Sequence, residues 1–249
     1  MDSKFKLPTE TVDLPSKGLL YPADSPLASG TIEMKYMTAK EEDILTNTNY
    51  IRQGTVIDKL LQSLIVTEGV DYDSLLIGDK NAIMLAARIL SYGKDYDIKY
   101  KGESITVDLS NIESKPLKEE LFVDRVNEFE FNLPSSGNTV LFKLLTQGDE
   151  KYIDKEIAGN KKINKDASTD VTTRLKYTIV AVNGLREQKE IRSFIDTYLL
   201  AKDARALREY YGSIAPDLDL TFKYTDMSGV EEDVALPIGV DFFWPDSTI

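Results

Sequence analysis

Short sequence motifs recur in the same order in the two halves of this 249-residue chain. Because a repeat restricts a chain to folds in which one unit packs on another, the recurrence predicts two copies of one strand–helix–helix–hairpin unit. Chance similarity is the alternative, since this succession of elements is common. Five pairs of segments match: Leu14-Pro15-Ser16-Lys17-Gly18 with Leu133-Pro134-Ser135-Ser136-Gly137, Lys35/Thr38/Glu42 with Lys143/Thr146/Glu150, Lys59-Leu60 with Arg174-Leu175, Tyr92-Gly93 with Tyr211-Gly212, and Ile98-Lys99-Tyr100 with Phe222-Lys223-Tyr224.

Local hydrophobic patterns predict a mixed α+β fold built from these two units. We expect a first unit over residues 31–125 and a second over residues 126–249, after an extended arm over residues 1–30. Alternation of apolar and polar residues indicates strands, and spacing of three and four indicates helices. The predicted strands and hairpins cover 31–37, 97–109, 126–145 and 218–236; the predicted helices cover 38–45, 55–66, 79–92, 172–182, 191–199 and 203–211; and residues 159–170 are predicted to be an exposed loop.

The N-terminal 30 residues are rich in proline, serine and glycine. Proline lacks a backbone N–H and does not fit a regular helix or a central strand, so we predict an extended arm with turns. Such an arm has few backbone hydrogen bonds to lose, and deleting residues 1–12 is predicted to change the melting temperature little while weakening assembly. The candidate partner-binding residues in the arm are Leu14, Pro15, Leu19, Leu20 and Tyr21.

The chain contains no cysteine and no histidine. This excludes disulfides, thiolate nucleophiles, Cys/His zinc sites and imidazole acid–base catalysis. We therefore predict a protein that is not an enzyme, with no catalytic, cofactor-binding or metal-binding residues, and we interpret Asp79 as the N-cap of the helix that follows it. The alternative is a carboxylate-dependent, metal-assisted hydrolase or transferase that uses Asp71, Asp73 or Glu231.

The net charge of the chain is strongly negative. It has 42 acidic and 30 basic residues and a formal charge of −12. A field of this sign repels nucleic-acid phosphates and anionic membranes, so we predict neither as a partner. The N-terminus also lacks the apolar segment of a signal peptide, and no apolar run approaches the ~20 residues of a membrane-spanning helix. We expect a soluble intracellular product.

Two further groups of residues are candidates for partner binding. Arg205 and Arg208 are three residues apart on a predicted helix and suit an acidic partner, although an ordinary exposed helix face is the alternative. Phe242, Phe243 and Trp244 place three large aromatic rings near the end of the chain. Exposing all three would leave on the order of several hundred Å² of contiguous apolar surface. We therefore predict that one or two of the rings pack on the hairpin 218–236, with at most one available to a partner.

The order of the segments from about residue 13 to residue 245 resembles the T-even-type bacteriophage base plate proteins. This family includes the baseplate hub subunit and the hub-assembly factor. The resemblance rests on these segments: Leu14-Pro15-Ser16-Lys17-Gly18-Leu19-Leu20-Tyr21-Pro22, Met37-Thr38-Ala39-Lys40-Glu41-Glu42-Asp43-Ile44-Leu45, Val56-Ile57-Asp58-Lys59-Leu60-Leu61, Leu75-Leu76-Ile77-Gly78-Asp79-Lys80, Ser91-Tyr92-Gly93 and Phe243-Trp244-Pro245.

The resemblance implies a structural or assembly function in the phage tail, with other baseplate proteins as partners and no catalysis. It leaves open whether the chain is a hub component or a chaperone-like assembly factor, and whether it forms an oligomer in the particle. It implies the host cytoplasm during assembly and, for some members, the virion. Some relatives place cysteine pairs in hairpins equivalent to 97–109 and 218–236; this chain has none, so metal binding does not carry over.

Overall fold

The computed structural model describes residues 7–163, 168–225, 229–238 and 240–243. Helices and small antiparallel sheets alternate along these residues. The helices are α1 (Ala39–Leu45), α2 (Thr48–Gln53), α3 (Val56–Leu64), α4 (Ile77–Tyr92), α5 (Gln147–Ile163), α6 (Asp170–Thr178), α7 (Gln188–Thr197) and α8 (Ala201–Ile214). The strands are β1 (Thr9–Asp13), β2 (Thr31–Lys35), β3 (Asp95–Tyr100), β4 (Glu103–Asp108), β5 (Phe129–Asn132), β6 (Thr139–Phe142), β7 (Ile179–Val182), β8 (Thr221–Thr225) and β9 (Glu231–Ala235).

The strands form four small sheets, so the predicted α+β fold class is confirmed. Three sheets are two-stranded antiparallel pairs, β1–β2, β3–β4 and β8–β9, and the fourth has the order β5–β6–β7. In the hairpins predicted at 97–109 and 218–236, apolar residues lie opposite each other, Ile98 opposite Ile105 and Phe222 opposite Val234. Such cross-strand pairs stabilise a hairpin and account for the alternation seen in the sequence.

Helices α1 and α5 begin with the same arrangement of side chains. At α1, the backbone N–H and the hydroxyl of Thr38 both donate to Glu41 Oε2, at 3.0 and 2.5 Å. At α5, the N–H of Thr146 donates to Asp149 Oδ2 at 3.0 Å. In each case a lysine of the preceding segment bonds the other carboxylate oxygen at 2.8 Å. A carboxylate in the first turn also interacts favourably with the helix dipole.

The described part of the N-terminal segment is packed into the body of the protein, and the expectation that this segment has few backbone hydrogen bonds is wrong. Strand β1 pairs with β2 along its whole length, and the N–H of Leu14 donates to the carbonyl of Gly30 at 2.8 Å. Pro26 begins a 3₁₀ turn, Pro26–Ser29, a position where the missing N–H would not be bonded in any case. The prolines are therefore compatible with a folded segment.

Replacing Leu27 by alanine tests whether this segment belongs to the core. Leu27 is 0% exposed, and truncating a buried leucine costs about 2–5 kcal/mol. We expect a loss of unfolding free energy of this size, measured by urea denaturation followed by circular dichroism. Leu7→Ala is the matched control, because Leu7 is 54% exposed and should change stability by no more than about 0.5 kcal/mol. Equal effects of the two substitutions would contradict the packing described here.

Three boundaries in the second half differ from the sequence-based predictions. Helix α5 extends to Ile163, so residues 159–163 are helical rather than an exposed loop. The predicted helix 172–182 ends at Thr178, because the β-branched residues that follow form strand β7 on β6. Gly212 lies inside α8, whereas Gly93 ends α4 with φ +83°. The two Tyr-Gly segments are therefore not equivalent in structure.

The two halves of the chain are joined by backbone hydrogen bonds and share one apolar core. At one junction the N–H of Gln147 donates to the carbonyl of Leu75 at 2.8 Å. At the other, the N–H groups of Lys115 and Asp219 donate to the carbonyls of Asp217 and Glu113, each at 2.8 Å. Because the halves share hydrogen bonds and a core, they form a continuous structure. The division of the chain at residues 30 and 125 stays a prediction.

The C-terminal aromatic residues are buried, but not where the sequence placed them. Phe242 and Phe243 are fully buried, and the Phe242 ring packs edge-on against Tyr96 of β3 at 5.0 Å. The hairpin 218–236, which was the predicted surface, is covered instead by Tyr100, whose ring contacts Phe222 and Tyr224. The hairpins β3–β4 and β8–β9 pack on each other through these rings. The C-terminal turn lies against β3 of the first hairpin. Trp244 lies outside the described residues.

Candidate interaction surface

A buried carboxylate holds each of the two Leu-Pro-Ser-x-Gly turns. Asp79, the third residue of α4, accepts hydrogen bonds from the N–H of Ser16 at 2.9 Å and from the Tyr21 hydroxyl at 2.6 Å. Asp203, the third residue of α8, accepts them from the N–H groups of Ser135 at 2.7 Å and Ser136 at 3.0 Å. Asp79 is thus not the N-cap that the sequence suggested. The aspartate in the first turn of α4 and of α8 was the available signal.

The two carboxylates differ in their ionisation. Burial raises the pKa of Asp79, and the hydrogen bonds from Ser16 and Tyr21 only partly oppose it. Burial opposes ionisation of Asp203 as well, but the hydrogen bonds from Ser135 and Ser136 outweigh it and hold the pKa of Asp203 below its ordinary value. Asp203 therefore stabilises the fold as a carboxylate, because two N–H groups point at its two oxygens.

Asp203→Asn is expected to reduce stability at neutral pH but not at strongly acidic pH. A depressed pKa contributes stability above the unfolded-state value of about 3.9, and this contribution is lost as the pH falls through the folded-state value. Urea unfolding of wild type and variant should show a difference at pH 7 that shrinks steadily below about pH 4. A difference that stays constant down to pH 2.5 would show that ionisation of Asp203 is not involved.

The structure separates the predicted partner-binding residues into buried and accessible groups. Leu14, Pro15, Leu20 and Tyr21 are buried, Leu19 is half-buried, and Phe242 and Phe243 are fully buried. Arg205 and Arg208 are exposed on α8; Arg205 pairs with Glu209 at 2.7 Å, and Arg208 Nε donates to the carbonyl of Ala204 at 3.2 Å. Partner contact stays a prediction for all of them, and for the buried residues it would require the segment to open.

The carboxylates of the alternative enzymatic interpretation lie in two separate places. Asp71 and Asp73 line an open polar cleft of about 450 Å³, where Asp71 accepts the N–H of Asp73 at 3.1 Å and Asp73 forms an ion pair with Lys151. Glu231 lies in β9 near Lys223. Within the described ranges, no group of three or more Asp or Glu residues is placed to hold a metal ion.

A larger cleft of about 970 Å³ lies between α3, α4 and α5, where the two halves meet. Its wall contains a hydrogen-bonded network that links all three helices. Lys80 lies 2.8 Å from Asp58 and donates to the side-chain oxygen of Gln147 at 2.7 Å, while the Gln147 amide donates to Asp58 at 2.9 Å. Burial and the nearby Asp58 raise the pKa of Tyr72, which donates to the same carboxylate. The network holds the halves together.

An apolar groove of about 180 Å³ runs between α6 and α8. We call it the α6–α8 groove. Charged side chains line it as well, and they include Arg208, one of the predicted partner-binding residues. The residues that line the groove are Leu145, Asp170, Val171, Arg174, Leu175, Thr178, Leu207, Arg208 and Tyr211. The sequence did not indicate it, because the groove depends on α6 ending at Thr178 and lying beside α8.

No helix in the portion of the chain that the structure describes is long and apolar enough to cross a membrane.

Comparison with known proteins identifies the family. Searches of curated proteins and of solved structures returned no match. The family model described as T4 bacteriophage base plate protein matches residues 8–244, nearly the whole chain, which confirms the resemblance seen in the sequence. The chain belongs to the T4 bacteriophage base plate protein family.

Proposed function

We propose that the chain is a non-enzymatic baseplate protein, either a hub component or a chaperone-like factor for hub assembly, which acts by binding other tail proteins. The family match over residues 8–244 carries this proposal. Family membership supports a structural role in the phage baseplate and contact with other tail proteins. Assignment to the hub, and action by protein binding alone, are the parts that we propose.

We also propose that the chain contains two related units, residues 31–125 and 126–249, with residues 1–30 adding strand β1 to the first. The paired contacts support this. Each unit holds a Leu-Pro-Ser-x-Gly turn with a buried aspartate in the first turn of a long helix: Asp79 of the first unit holds the turn at residues 14–18, and Asp203 of the second holds the turn at residues 133–137. Each also has a Lys–carboxylate–Thr arrangement at the start of a helix and a closing antiparallel hairpin.

Mass spectrometry of purified particles, combined with a deletion of the gene, distinguishes a hub component from an assembly factor. A hub component is expected in mature particles, and deletion should yield particles without a complete baseplate. An assembly factor is expected to be absent from mature particles, with the same assembly defect on deletion. Normal baseplates in the deletion strain, whether or not the protein is found in particles, would contradict both roles.

A second measurement tests action by binding. The purified chain is expected to co-elute with at least one purified baseplate protein and to show no heat of Mg²⁺ binding by calorimetry. Saturable Mg²⁺ binding that is lost on replacing Asp71 and Asp73 by asparagine would instead favour the metal-assisted enzyme.

A further inference from the structure

We propose that the α6–α8 groove receives an aromatic or branched apolar side chain of another tail protein, and that a carboxylate of that protein pairs with Arg208. This inference rests on the proposed function and names the surface and the chemistry of the partner. Its basis is the size of the groove, the exposure of Val171 at its edge, and the charge of Arg208.

The size of the groove suits a single ring. Its volume is about 180 Å³, below the roughly 300–1,000 Å³ of sites that hold small ligands. An apolar cavity of about 150 Å³ takes up one benzene molecule. The side chains of Leu175 and Leu207 form an apolar floor, and both are buried. The groove therefore accommodates one large apolar side chain of a protein partner rather than a cofactor.

In the first half, apolar side chains of the C-terminal segment pack beside one long helix. Helix α4 is covered by the turn Val240–Phe243, with Phe242 and Phe243 fully buried. Ile238 lies in the same cleft as Thr55 of the α3 start and Met84 of α4. In the first half, the chain's own C-terminal segment thus packs apolar and aromatic side chains beside α4, while the cleft between α3, α4 and α5 stays open.

The α6–α8 groove of the second half is open at its edge. Val56 in the first turn of α3 is 2% exposed, whereas Val171 in the first turn of α6 is 46% exposed. Tyr211 also lines the groove, and its hydroxyl accepts the N–H of Leu145 at 3.0 Å. Because its polar atom is already bonded, the ring of Tyr211 offers an apolar face to an incoming side chain.

Asp170 lines the groove and accepts a hydrogen bond from the Ser168 hydroxyl, and the arginines around it indicate a carboxylate on the partner. Arg174 forms a bidentate pair with Glu150, and Arg205 is paired with Glu209. Arg208 makes no ion pair with any carboxylate among the described residues; its Nε donates only to a backbone carbonyl. Its guanidinium is therefore available, and a planar carboxylate is the group that an arginine binds best.

A second copy of this chain is a poor occupant of the groove. Phe242 and Phe243 are fully buried in their own chain, and the aromatic rings that are most exposed among the described residues, Tyr152 and Tyr198, each carry a polar hydroxyl. Two copies would also bring together two bodies that each carry a formal charge of −12, and net charge of one sign disfavours association. The structure therefore favours a different protein.

The test uses the full chain and the baseplate proteins of the same phage, purified one by one. Binding of each is measured by calorimetry for wild type, Val171→Asp and Arg208→Glu. We expect the protein that binds wild type to bind each variant at least about tenfold more weakly, as for residues at the centre of an interface. Val126→Asp and Arg52→Glu make the same changes at exposed positions elsewhere and should alter affinity less than about twofold.

The possible results separate a failure of the groove proposal from a failure of the proposed function. Unchanged circular dichroism and thermal unfolding show that both variants fold, so that weaker binding then supports the groove. Undiminished binding of Val171→Asp and Arg208→Glu would overturn the groove while leaving the binding function intact. If wild type binds none of the proteins, both proposals fail. If wild type dimerises by sedimentation and Val171→Asp does not, the occupant is a second copy and the assignment to another protein is wrong.

Discussion

Gly78→Ala is expected to lower the unfolding free energy by about 3 kcal/mol, at the upper end of the effects of overpacking. Gly78 is the second residue of α4, and a β-carbon there would lie 1.8 Å from the carbonyl oxygen of Pro216. The backbone at Pro216 has little freedom to move away, because Asp217 accepts the N–H of Lys115 and the side-chain amide of Asn81. Alanine therefore has to separate the two halves of the chain where they are joined. Urea unfolding followed by circular dichroism measures the loss.

Gly212→Ala is the matched control for this substitution. Gly212 also lies in a long helix, but a β-carbon there would meet no atom within 4 Å. Alanine in a helix interior is favoured over glycine by up to about 1 kcal/mol, so this variant should be more stable than wild type. If Gly78→Ala were as stable as Gly212→Ala, the close approach of α4 to Pro216 would be disproved.

Asp79→Ala is expected to cost about 3 kcal/mol of unfolding free energy. The substitution removes the acceptor for two buried donors, the N–H of Ser16 and the hydroxyl of Tyr21. A buried donor without a partner costs about 1–3 kcal/mol. Two such donors together cost about 2–6 kcal/mol. Relief from burying a carboxyl group whose pKa is raised by that burial offsets part of this, which leaves about 3 kcal/mol. The same unfolding experiment measures it.

Two further variants show whether the loss comes from the buried hydrogen bonds. Tyr21→Phe should cost about 1–3 kcal/mol, because it leaves the N–H of Leu76 without the Tyr21 oxygen that it bonds at 2.9 Å. Asp43→Ala removes an exposed carboxylate from α1 and should change stability by no more than about 0.5 kcal/mol. A loss of similar size in Asp43→Ala and Asp79→Ala would mean that the buried hydrogen bonds are not what holds the turn.

Much of the fold could be predicted because local chemistry determines it. The N-terminal ends of α1 and α5 follow from a threonine with a carboxylate three residues later. The helical spacing of residues 55–66 and 191–199 corresponds to α3 and α7. Alternation in 97–109 and 218–236 corresponds to the two hairpins. In each case the residues that decide the structure lie within a few positions of one another, so that the sequence contains the whole interaction.

The candidate site was less predictable, because its surfaces are made by residues far apart in the chain. Arg208 was found from its spacing on a helix, but the groove beside it needs α6 and α8 to lie side by side. The residues Leu14, Leu20 and Tyr21 looked accessible in a proline-rich segment, yet they are buried because Asp79 and the strand pair β1–β2 hold that segment on the core. Apolar residues in an irregular segment give no local sign of whether they face a partner or the core.

By itself, the sequence established the family, the absence of Cys and His chemistry, and the helices and hairpins that local spacing specifies. Tertiary structure decided the rest. Residues 179–182 became a strand because β6 offered an edge to pair with. The Phe242 ring packs on Tyr96 of the first hairpin, while Tyr100 of the same hairpin covers Tyr224 of the second. Each of these outcomes depends on contacts between segments that are distant in the sequence, and such contacts form only when the chain folds.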